Sequence, residues 1–345
     1  MLAVPAAPAE AKLPTGFVGV TSEDALATPG AYRAQQMKLM KRAGVRTLRQ
    51  TIDWSVVERK RGKYDFSFYD GFVGTAAKYG IRVMPILFNP PSFRSKRPKK
   101  NALRGTYPPR RNSDFARFAR RVAKRYGRKG SYWRAHRKTP YRPVLAYQIW
   151  NEPNLDVYWR PKARASSYVK LLRTTRKAIR KVDRRAEIVS AGLPDSRSGI
   201  PLTKFIDQMM RSGASRGMDT LAVNPYAKTP GGVIRNLKRA RRALNRRGGK
   251  RIEIRATEVG WSDNGPKKGF YVGRKHARYV SSFIRLAGKH RKSLRLNGFV
   301  YFNWRDAVPY PGGKDFWGLH TGLHSLDGKA KPALKSFRAA VRKLK

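Results

Sequence analysis

The chain has 345 residues, 40% of them hydrophobic, so it can bury one large core or two ordinary ones, and disorder throughout is excluded. It carries 77 Lys and Arg against 21 Asp and Glu, a formal charge of +56 that predicts attraction to polyanions of any kind. The absence of Cys excludes disulfides and thiolate metal sites but leaves the compartment open. No apolar run approaches the roughly 20 residues that a membrane span needs.

The first 15 residues form a short apolar leader that is rich in Ala and Pro. Ala9, Glu10 and Ala11 have the small-x-small form of a signal-peptidase site, although a basic start and a full apolar segment are missing. We interpret residues 1–15 as the remnant of an export signal, with a disordered leader as the alternative. We therefore expect a secreted or cell-surface protein whose single domain spans residues 16–345.

From Gly16 onward, short β-branched or apolar runs alternate with longer segments of helical period. Eight predicted strands, each followed by a predicted helix, indicate a single (β/α)8 barrel. A doubly wound open sheet is the alternative, but the turn after the first strand, VTSEDALATPG, has no glycine-rich phosphate loop. The predicted strands cover residues 17–20, 45–49, 81–88, 144–150, 187–192, 219–224, 251–257 and 297–303. The predicted helices lie at about 32–43, 68–79, 114–126, 168–182, 202–211, 233–245, 280–287 and 332–344.

Two of the predicted strands are closely followed by a glutamate. Glu152 follows the fourth strand and Glu258 follows the seventh, and active sites of such barrels form where the strands end. A single glutamate there would more simply pair with a surface cation. Two at equivalent strand ends, in a chain with only 21 acidic residues, favour catalysis instead. Facing carboxylates suit glycoside hydrolysis, with retention at a separation of about 5 to 5.5 Å and inversion at about 6.5 to 9.5 Å.

The motifs around these glutamates resemble the clan A retaining glycoside hydrolases. Asn151 and Glu152 match the acid/base position of that clan, Glu258 matches the nucleophile, and Arg49 matches the strand-two arginine. The stretch IWNEPNLDVYW most resembles family 39, which contains β-xylosidases, α-iduronidases and exopolysaccharide hydrolases. The resemblance extends from about Gly16 to the C-terminus. The β-xylosidases carry an accessory β-sandwich, whereas the predicted elements of this sequence are those of the barrel. We therefore expect a single-domain hydrolase, endo or exo, rather than a xylosidase.

The resemblance implies double displacement, in which Glu152 protonates the leaving oxygen and Glu258 attacks the anomeric carbon. We expect the charge of Glu258 to raise the pKa of Glu152, and Arg49 to hold Glu258 ionised. Glycosylation of Glu258 then removes that charge, so Glu152 becomes more acidic and can act as the base towards water.

The resemblance also implies substrate-binding residues. Asn151 would bond the sugar 2-hydroxyl, Tyr226 would donate to the nucleophile, and Trp304 would form the floor beneath the attacked sugar. Asn224, where many relatives have His, is also counted among the candidate substrate-binding residues. For Trp159 and Trp261 two interpretations stay open, a sugar platform or packing within a loop.

The basic residues lie largely on predicted outer helix faces, as in residues 235–250, and in the loop Arg94–Arg111 on the predicted mouth side. A solvated surface shaped by coding bias is one interpretation. The other is attachment to an anionic glycan or cell surface, and the loop makes us slightly prefer an acidic polysaccharide to a neutral one.

Other function classes have weaker support in the sequence. A non-catalytic glycan-binding or cell-surface-binding barrel is the main alternative, but it predicts the loss of one glutamate. A specific nucleic-acid binder would show a recognition motif, which we do not find. His320 and His324 lie among glycines and indicate a loop rather than a metal pair, and no phosphate-cradling motif suggests a cofactor. We expect a monomer with a carbohydrate substrate and no metal.

Overall fold

The computed structural model describes residues 13–28, 30–196, 198–309 and 312–344. Residues 1–12 of the predicted leader therefore lie outside the described residues. Within these ranges, parallel strands close into an eight-stranded barrel in chain order, which confirms the predicted (β/α)8 fold. The strands are β1 (Val18–Thr21), β2 (Thr47–Asp53), β3 (Arg82–Phe88), β4 (Ala146–Ile149), β5 (Glu187–Val189), β6 (Thr220–Asn224), β7 (Glu253–Val259) and β8 (Leu296–Tyr301).

The barrel closes through β1, which pairs with β2 on one side and with β8 on the other. Gly19 lies opposite Thr47 in β2 and opposite Val300 in β8. All four residues of β1 are buried, as expected for a parallel strand covered on both faces.

The fifth strand is shorter than predicted, because it is interrupted after Val189. Val189 pairs with Thr220 of β6, the chain then leaves the ladder, and the two-residue segment Leu193–Pro194 rejoins β6 opposite Val223 and Asn224. The prediction of an unbroken strand over residues 187–192 is therefore wrong. The break brings the backbone of Gly192 to the end of β4, where it bridges Asn151.

Eight helices in the described part of the chain cover the barrel, and their amphipathic faces explain the placement. They are α1 (Gly30–Arg42), α2 (Ser67–Lys78), α3 (Asn112–Tyr126), α4 (Ala165–Arg180), α5 (Leu202–Arg211), α6 (Pro230–Asn245), α7 (His276–Lys289) and α8 (Pro332–Arg342). Short helices lie at Glu23–Ala27, Trp54–Val57, Ser131–Ala135 and Arg291–Leu294. The main core lies between the helices and the barrel, and a second apolar cluster of Met84, Ala146, Val189, Ala222 and Val300 is separate from it.

Helix α6 shows how the sequence sets a helix start. Pro230 occupies the first turn, and the side chain of Thr229 accepts a hydrogen bond from the backbone of Gly232 at 3.1 Å. Among the described residues, no helix combines the length and apolar character needed to cross a bilayer.

Candidate active site

Glu258 lies near the end of β7, and each of its carboxylate oxygens has a partner. Nη1 of Arg49 is 3.0 Å from Oε1, and the hydroxyl of Tyr226 donates to Oε2 at 2.8 Å. The guanidinium is almost fully buried, as is the carboxylate, so the two charges compensate each other where water is scarce. The structure thus brings Arg49, Tyr226 and Glu258 together.

A local irregularity in β7 places Glu258. The pairing of β7 with β8 runs from Ala256 opposite Phe299 to Val259 opposite Tyr301, so β7 has one residue more than its partner there. Such a bulge changes the direction of nearby side chains. Neighbouring residues of a regular strand point to opposite faces, yet both Thr257 and Glu258 make contacts within the site.

Arg49 is held by β4 as well as by Glu258. Its Nε donates to Oε1 of Gln148 at 2.8 Å, and its Nη2 donates to Oδ1 of Asn151 at 3.1 Å. Gln148 in turn donates to the backbone oxygen of Trp150 at 2.9 Å. The guanidinium therefore connects the second, fourth and seventh strands, and its position is fixed before any substrate arrives.

Glu152 follows β4 with a left-handed backbone, φ +46°, just after Trp150 at φ +75°. Its backbone N–H donates to the oxygen of Gly192 at 3.1 Å. Its Oε1 accepts a hydrogen bond from Nδ2 of Asn224 at 2.7 Å, and the hydroxyl of Thr257 donates to Oδ1 of Asn224 at 2.8 Å. Thr257 thus orients the amide so that its N–H group points at the Glu152 carboxyl.

The two glutamates have different electrostatic surroundings. The pKa of Glu152 is raised to about 8, first by burial and then by the nearby charge of Glu258, although the hydrogen bond from Asn224 and the charge of Arg49 lower it. Glu152 is only half-buried by surface area, but protein atoms closely surround its carboxyl, and this enclosure removes its water. Burial and the carboxylate of Glu258 raise the pKa of Tyr226 well above its usual value, so its hydroxyl stays protonated.

The three tryptophans considered for sugar binding are all buried, with exposed fractions of 3% for Trp159 and 0% for Trp261 and Trp304. Trp159 packs edge-on against Trp150 at 5.2 Å, and Trp261 donates to the backbone oxygen of Ala227 at 2.8 Å. These contacts favour packing over a platform for Trp159 and Trp261. The indole of Trp304 donates to Gln36 at 2.9 Å, and its predicted role beneath the sugar stays a prediction.

The basic loop after β3 contains both a structural and an exposed part. Arg94, at its start, is buried between Glu58 at 2.7 Å and Asp114 at 3.2 Å, so it anchors the loop rather than facing substrate. The exposed cations are Lys96, Arg97, Lys99, Lys100, Arg104, Arg110 and Arg111. The backbone oxygen of Arg104 accepts a hydrogen bond from Nε of Arg160, in the loop after β4, at 2.8 Å. This bond joins the loop to the segment that carries Glu152.

A cluster of three rings lies beside Glu258, and the sequence analysis had singled out only Tyr226 among them. The ring of Tyr226 stacks on Phe270 with centroids 5.4 Å apart and planes at 16°. Trp317 lies edge-on to Tyr226 at 5.0 Å and to Phe270 at 4.7 Å. We call Tyr226, Phe270 and Trp317 the aromatic wall. Its members come from three different loops, so strand periodicity gave no signal for it.

Gln148, Gly192 and Thr257 also act in the site without having been predicted. Gln148 alternates with apolar residues in YQIW, which marks it as inward-facing, but its partner Arg49 lies 99 residues away. The two histidines considered as a metal pair have other partners: His320 contacts Asp315 at 2.8 Å, and His324 contacts the backbone oxygen of Trp304 at 3.2 Å. In the described ranges there is no group of three or more His, Asp or Glu arranged to hold a metal.

The comparisons with known proteins concern the fold of the chain. The family model described as glycoside hydrolase 42, β-galactosidase, matches residues 28–99. No curated protein sequence matches the chain significantly.

Three solved structures are similar over almost the whole chain. A family 39 glycoside hydrolase from Bacteroides cellulosilyticus WH2 has a TM-score of 0.70 at 19% identity, covering 95% of this chain and 64% of that one. A glucosidase from Croceicoccus marinus has a TM-score of 0.67 at 13% identity, covering 96% and 68%. The exo-β-1,4-mannosidase Op5Man5 from Opitutaceae bacterium strain TAV5 has a TM-score of 0.64 at 18% identity, covering 97% and 62%.

The chain thus spans 64% of the family 39 enzyme and 62% of the mannosidase. At these identities the similarity establishes the fold and leaves the sugar undetermined. The resemblance noted in the sequence motifs is confirmed at that level: the chain has the fold of the clan A glycoside hydrolases, with a family 39 enzyme among its structural neighbours.

Proposed function

We propose that the chain is a retaining glycoside hydrolase that cleaves O-glycosidic bonds of an oligosaccharide or polysaccharide by double displacement. One observation carries the proposal, the different partners of the two glutamates. Glu258 is paired with the Arg49 cation, whereas Glu152 is bonded to the neutral amide of Asn224. A nucleophile needs the ionised form and a general acid needs the protonated form, so the surroundings match the two roles.

In the first step, Glu152 gives its proton to the glycosidic oxygen while Oε of Glu258 bonds to the anomeric carbon, and the leaving group departs as an alcohol. The pKa of Glu152, raised to about 8, keeps its proton available at neutral pH. Arg49 and Tyr226 hold the carboxylate of Glu258 in position until it bonds to the sugar.

In the second step, water attacks the anomeric carbon and Glu152 takes its proton. Because esterification has removed the charge of Glu258, one cause of the raised pKa of Glu152 is gone, and the carboxylate form becomes easier to reach. Cleavage of the ester returns Glu258 as a carboxylate beside Arg49. The same two groups thus complete the cycle with retention at the anomeric carbon.

For the substrate, we propose an acidic or acid-decorated glycan, met outside the cell or at its surface. The support is the exposed basic part of the loop after β3, on the side of the barrel where Glu152 and Glu258 lie, together with the charge of +56. The structural neighbours, named as a glucosidase and a mannosidase among others, act on different sugars and do not narrow this choice.

The mechanism is tested with aryl glycosides of good and poor leaving groups across a panel of sugars. We expect Glu258→Ala to abolish turnover of every substrate. Glu152→Ala should lose about 10²–10⁴-fold on poor leaving groups, which need protonation, and far less on good ones. Asp207→Asn, which changes an acid on the outer face of α5, is the control and should keep wild-type activity. Full activity of Glu258→Ala on any hydrolysed substrate would show the mechanism to be wrong.

The substrate proposal is tested separately by comparing uronate-containing with neutral polysaccharides at increasing NaCl. Turnover of the acidic glycan should fall as salt screens the basic loop, while turnover of the neutral glycan changes little. Equal salt dependence for both would contradict a preference for acidic glycans.

A further inference from the structure

We propose that the aromatic wall is a second sugar subsite, on which Trp317 stacks the unit next to the one that Glu258 attacks. The inference rests on the proposed glycosidase function and adds a binding site to it. No sugar role was assigned to Phe270 or Trp317 by their sequence context.

The position of the wall follows from its contacts with the nucleophile. Tyr226 follows β6, Phe270 lies in the loop after β7, and Trp317 lies in the loop after β8, so all three stand where the barrel opens. The hydroxyl of Tyr226 donates to Glu258 at 2.8 Å, while its ring contacts Trp317 at 5.0 Å. Tyr226 therefore separates Trp317 from the nucleophile, and Trp317 meets the neighbouring unit rather than the attacked ring.

Exposure distinguishes Trp317 from the tryptophans that the sequence favoured. Trp317 and Phe270 are partly exposed, and Phe316, which packs edge-on against Trp317 at 6.4 Å, is 48% exposed. Trp159, at 3%, is almost fully buried. A sugar stacks its apolar C–H face on a ring, which requires a ring with an accessible side.

The indole of Trp317 is also held in place before a ligand arrives. Gly269 has a left-handed backbone, φ +65°, and lies so close that a Cβ on it would stand 2.3 Å from Cδ1 of Trp317. Phe270 follows directly and contacts the ring. Because the ring is fixed by these neighbours, stacking a sugar on it costs little conformational entropy.

A bracing role is the competing explanation, since Trp317 also supports the Tyr226 ring. The two explanations differ in which substrates they affect. A brace would disturb the nucleophile and slow every substrate, including an aryl monoglycoside. A subsite for the neighbouring unit would matter only when the substrate has that unit.

The first measurement is binding without turnover. Glu258→Gln protein is titrated by calorimetry with di-, tri- and tetrasaccharides of the xylo-, manno-, gluco- and galacturono- series. Adding Trp317→Ala should weaken binding of the best tri- or tetrasaccharide about tenfold, and Trp317→Phe should keep most of it. Tyr141→Ala, which removes an exposed ring from the segment before β4, is the matched control and should change nothing. Unchanged affinity in Trp317→Ala would overturn the subsite. The absence of binding to every one of these sugars would overturn it as well.

The second measurement is turnover by the otherwise wild-type protein. Trp317→Ala should raise KM about tenfold for the oligosaccharide while leaving kcat/KM for the aryl monoglycoside unchanged. An equal loss on both substrates would establish the brace and overturn the subsite. The two proposals fail in different ways. If sugars bind through Trp317 but none is hydrolysed, the glycosidase proposal alone is refuted. If a sugar is hydrolysed but its binding does not depend on Trp317, the subsite proposal alone is refuted.

Discussion

Glu152 and Glu258 are the same residue type in one site, and their neighbours give them different chemistry. Arg49 and Tyr226 occupy both oxygens of Glu258, while Glu152 has an amide donor and an enclosed carboxyl. The raised pKa of Glu152 depends partly on the charge of Glu258, so the proton on one residue is linked to the ionisation of the other.

The first prediction concerns the dependence of activity on pH. Because Glu152 must be protonated in the first step and its pKa is raised to about 8, kcat/KM should fall as pH rises through about 8. Replacing Glu258 by Gln removes the neighbouring charge and should lower the pKa of Glu152. The pH–rate profile of the wild type and carbon NMR titration of Glu152 in Glu258→Gln measure the two effects. An alkaline limit that begins near pH 5 would contradict the assignment.

The second prediction concerns stability. The pKa of Glu152 is about 8 in the folded chain and near 4.5 when unfolded, so between these values the folded state holds a proton that the unfolded state has lost. The contribution of Glu152 to the free energy of unfolding therefore falls as pH rises from about 4.5 to 8. In Glu152→Gln this loss should disappear. The stability of the variant relative to the wild type should therefore be higher at pH 8 than at pH 5. Thermal unfolding at both pH values measures it, and a parallel shift at both would contradict the linkage.

At the scale of the elements, the break in β5 makes room for Glu152. Gly192 sits in the gap, accepts the backbone N–H of Glu152, and packs against the side chain of Asn224. A Cβ on Gly192 would lie 2.4 Å from Oδ1 of Asn224 and 2.8 Å from Oγ1 of Thr257. The position thus requires a residue without a side chain.

We predict that Gly192→Ala displaces Asn224 and weakens its bond to Glu152. Because a shift of about 1 Å in a catalytic site can cost on the order of 10²-fold, kcat/KM should fall about 10- to 100-fold. The crowding should also destabilise the fold by roughly 1–3 kcal/mol. Steady-state kinetics and chemical unfolding measure the two effects. Gly231→Ala in α6, where a Cβ would meet only the end of the Arg235 side chain, is the control. Wild-type kinetics in Gly192→Ala would show that Asn224 tolerates the methyl group.

The elements also show how far sequence patterns carry. Helix α5, Leu202–Arg211, has the bounds predicted from its apolar period. Its buried residues recur at helical spacing from the first turn to the last. The fifth strand was predicted as unbroken from its short run of apolar and small residues, whereas only the pairing in the structure shows the interruption after Val189. Burial is a local signal in sequence, whereas pairing depends on a strand 30 residues away.

At the scale of the whole molecule, the charge of +56 acts on folding. Basic residues far outnumber acidic ones, so most have to repel one another across the surface, and folding brings them closer. Several carboxylates offset this by joining two cations, as Asp219 does with Arg176 and Arg180.

We therefore predict that salt stabilises the fold. Raising NaCl from 0.01 M to 0.5 M shortens the screening length from about 30 Å to a few ångströms. The reduced repulsion should raise the midpoint of thermal unfolding by at least about 2 °C, which corresponds to roughly 1 kcal/mol in a domain of this size. Calorimetry in NaCl and in sucrose of equal osmolality separates screening from solvent exclusion. A midpoint that falls with NaCl would mean that attractive ion pairs outweigh the repulsion.

The sequence by itself indicated the barrel and the two glutamates that follow its fourth and seventh strands, because hydrophobic periodicity and the place where an apolar run stops are local properties of the chain. The resemblance of its motifs to the clan A enzymes also indicated Arg49. The tertiary structure decided what each side chain meets. It places Asn224 on Glu152, Thr257 on Asn224, and Phe270 and Trp317 beside Tyr226, and it buries Trp159, Trp261 and Trp304. These contacts depend on strand register, one bulge and the path of three loops, which arise only when distant segments pack together.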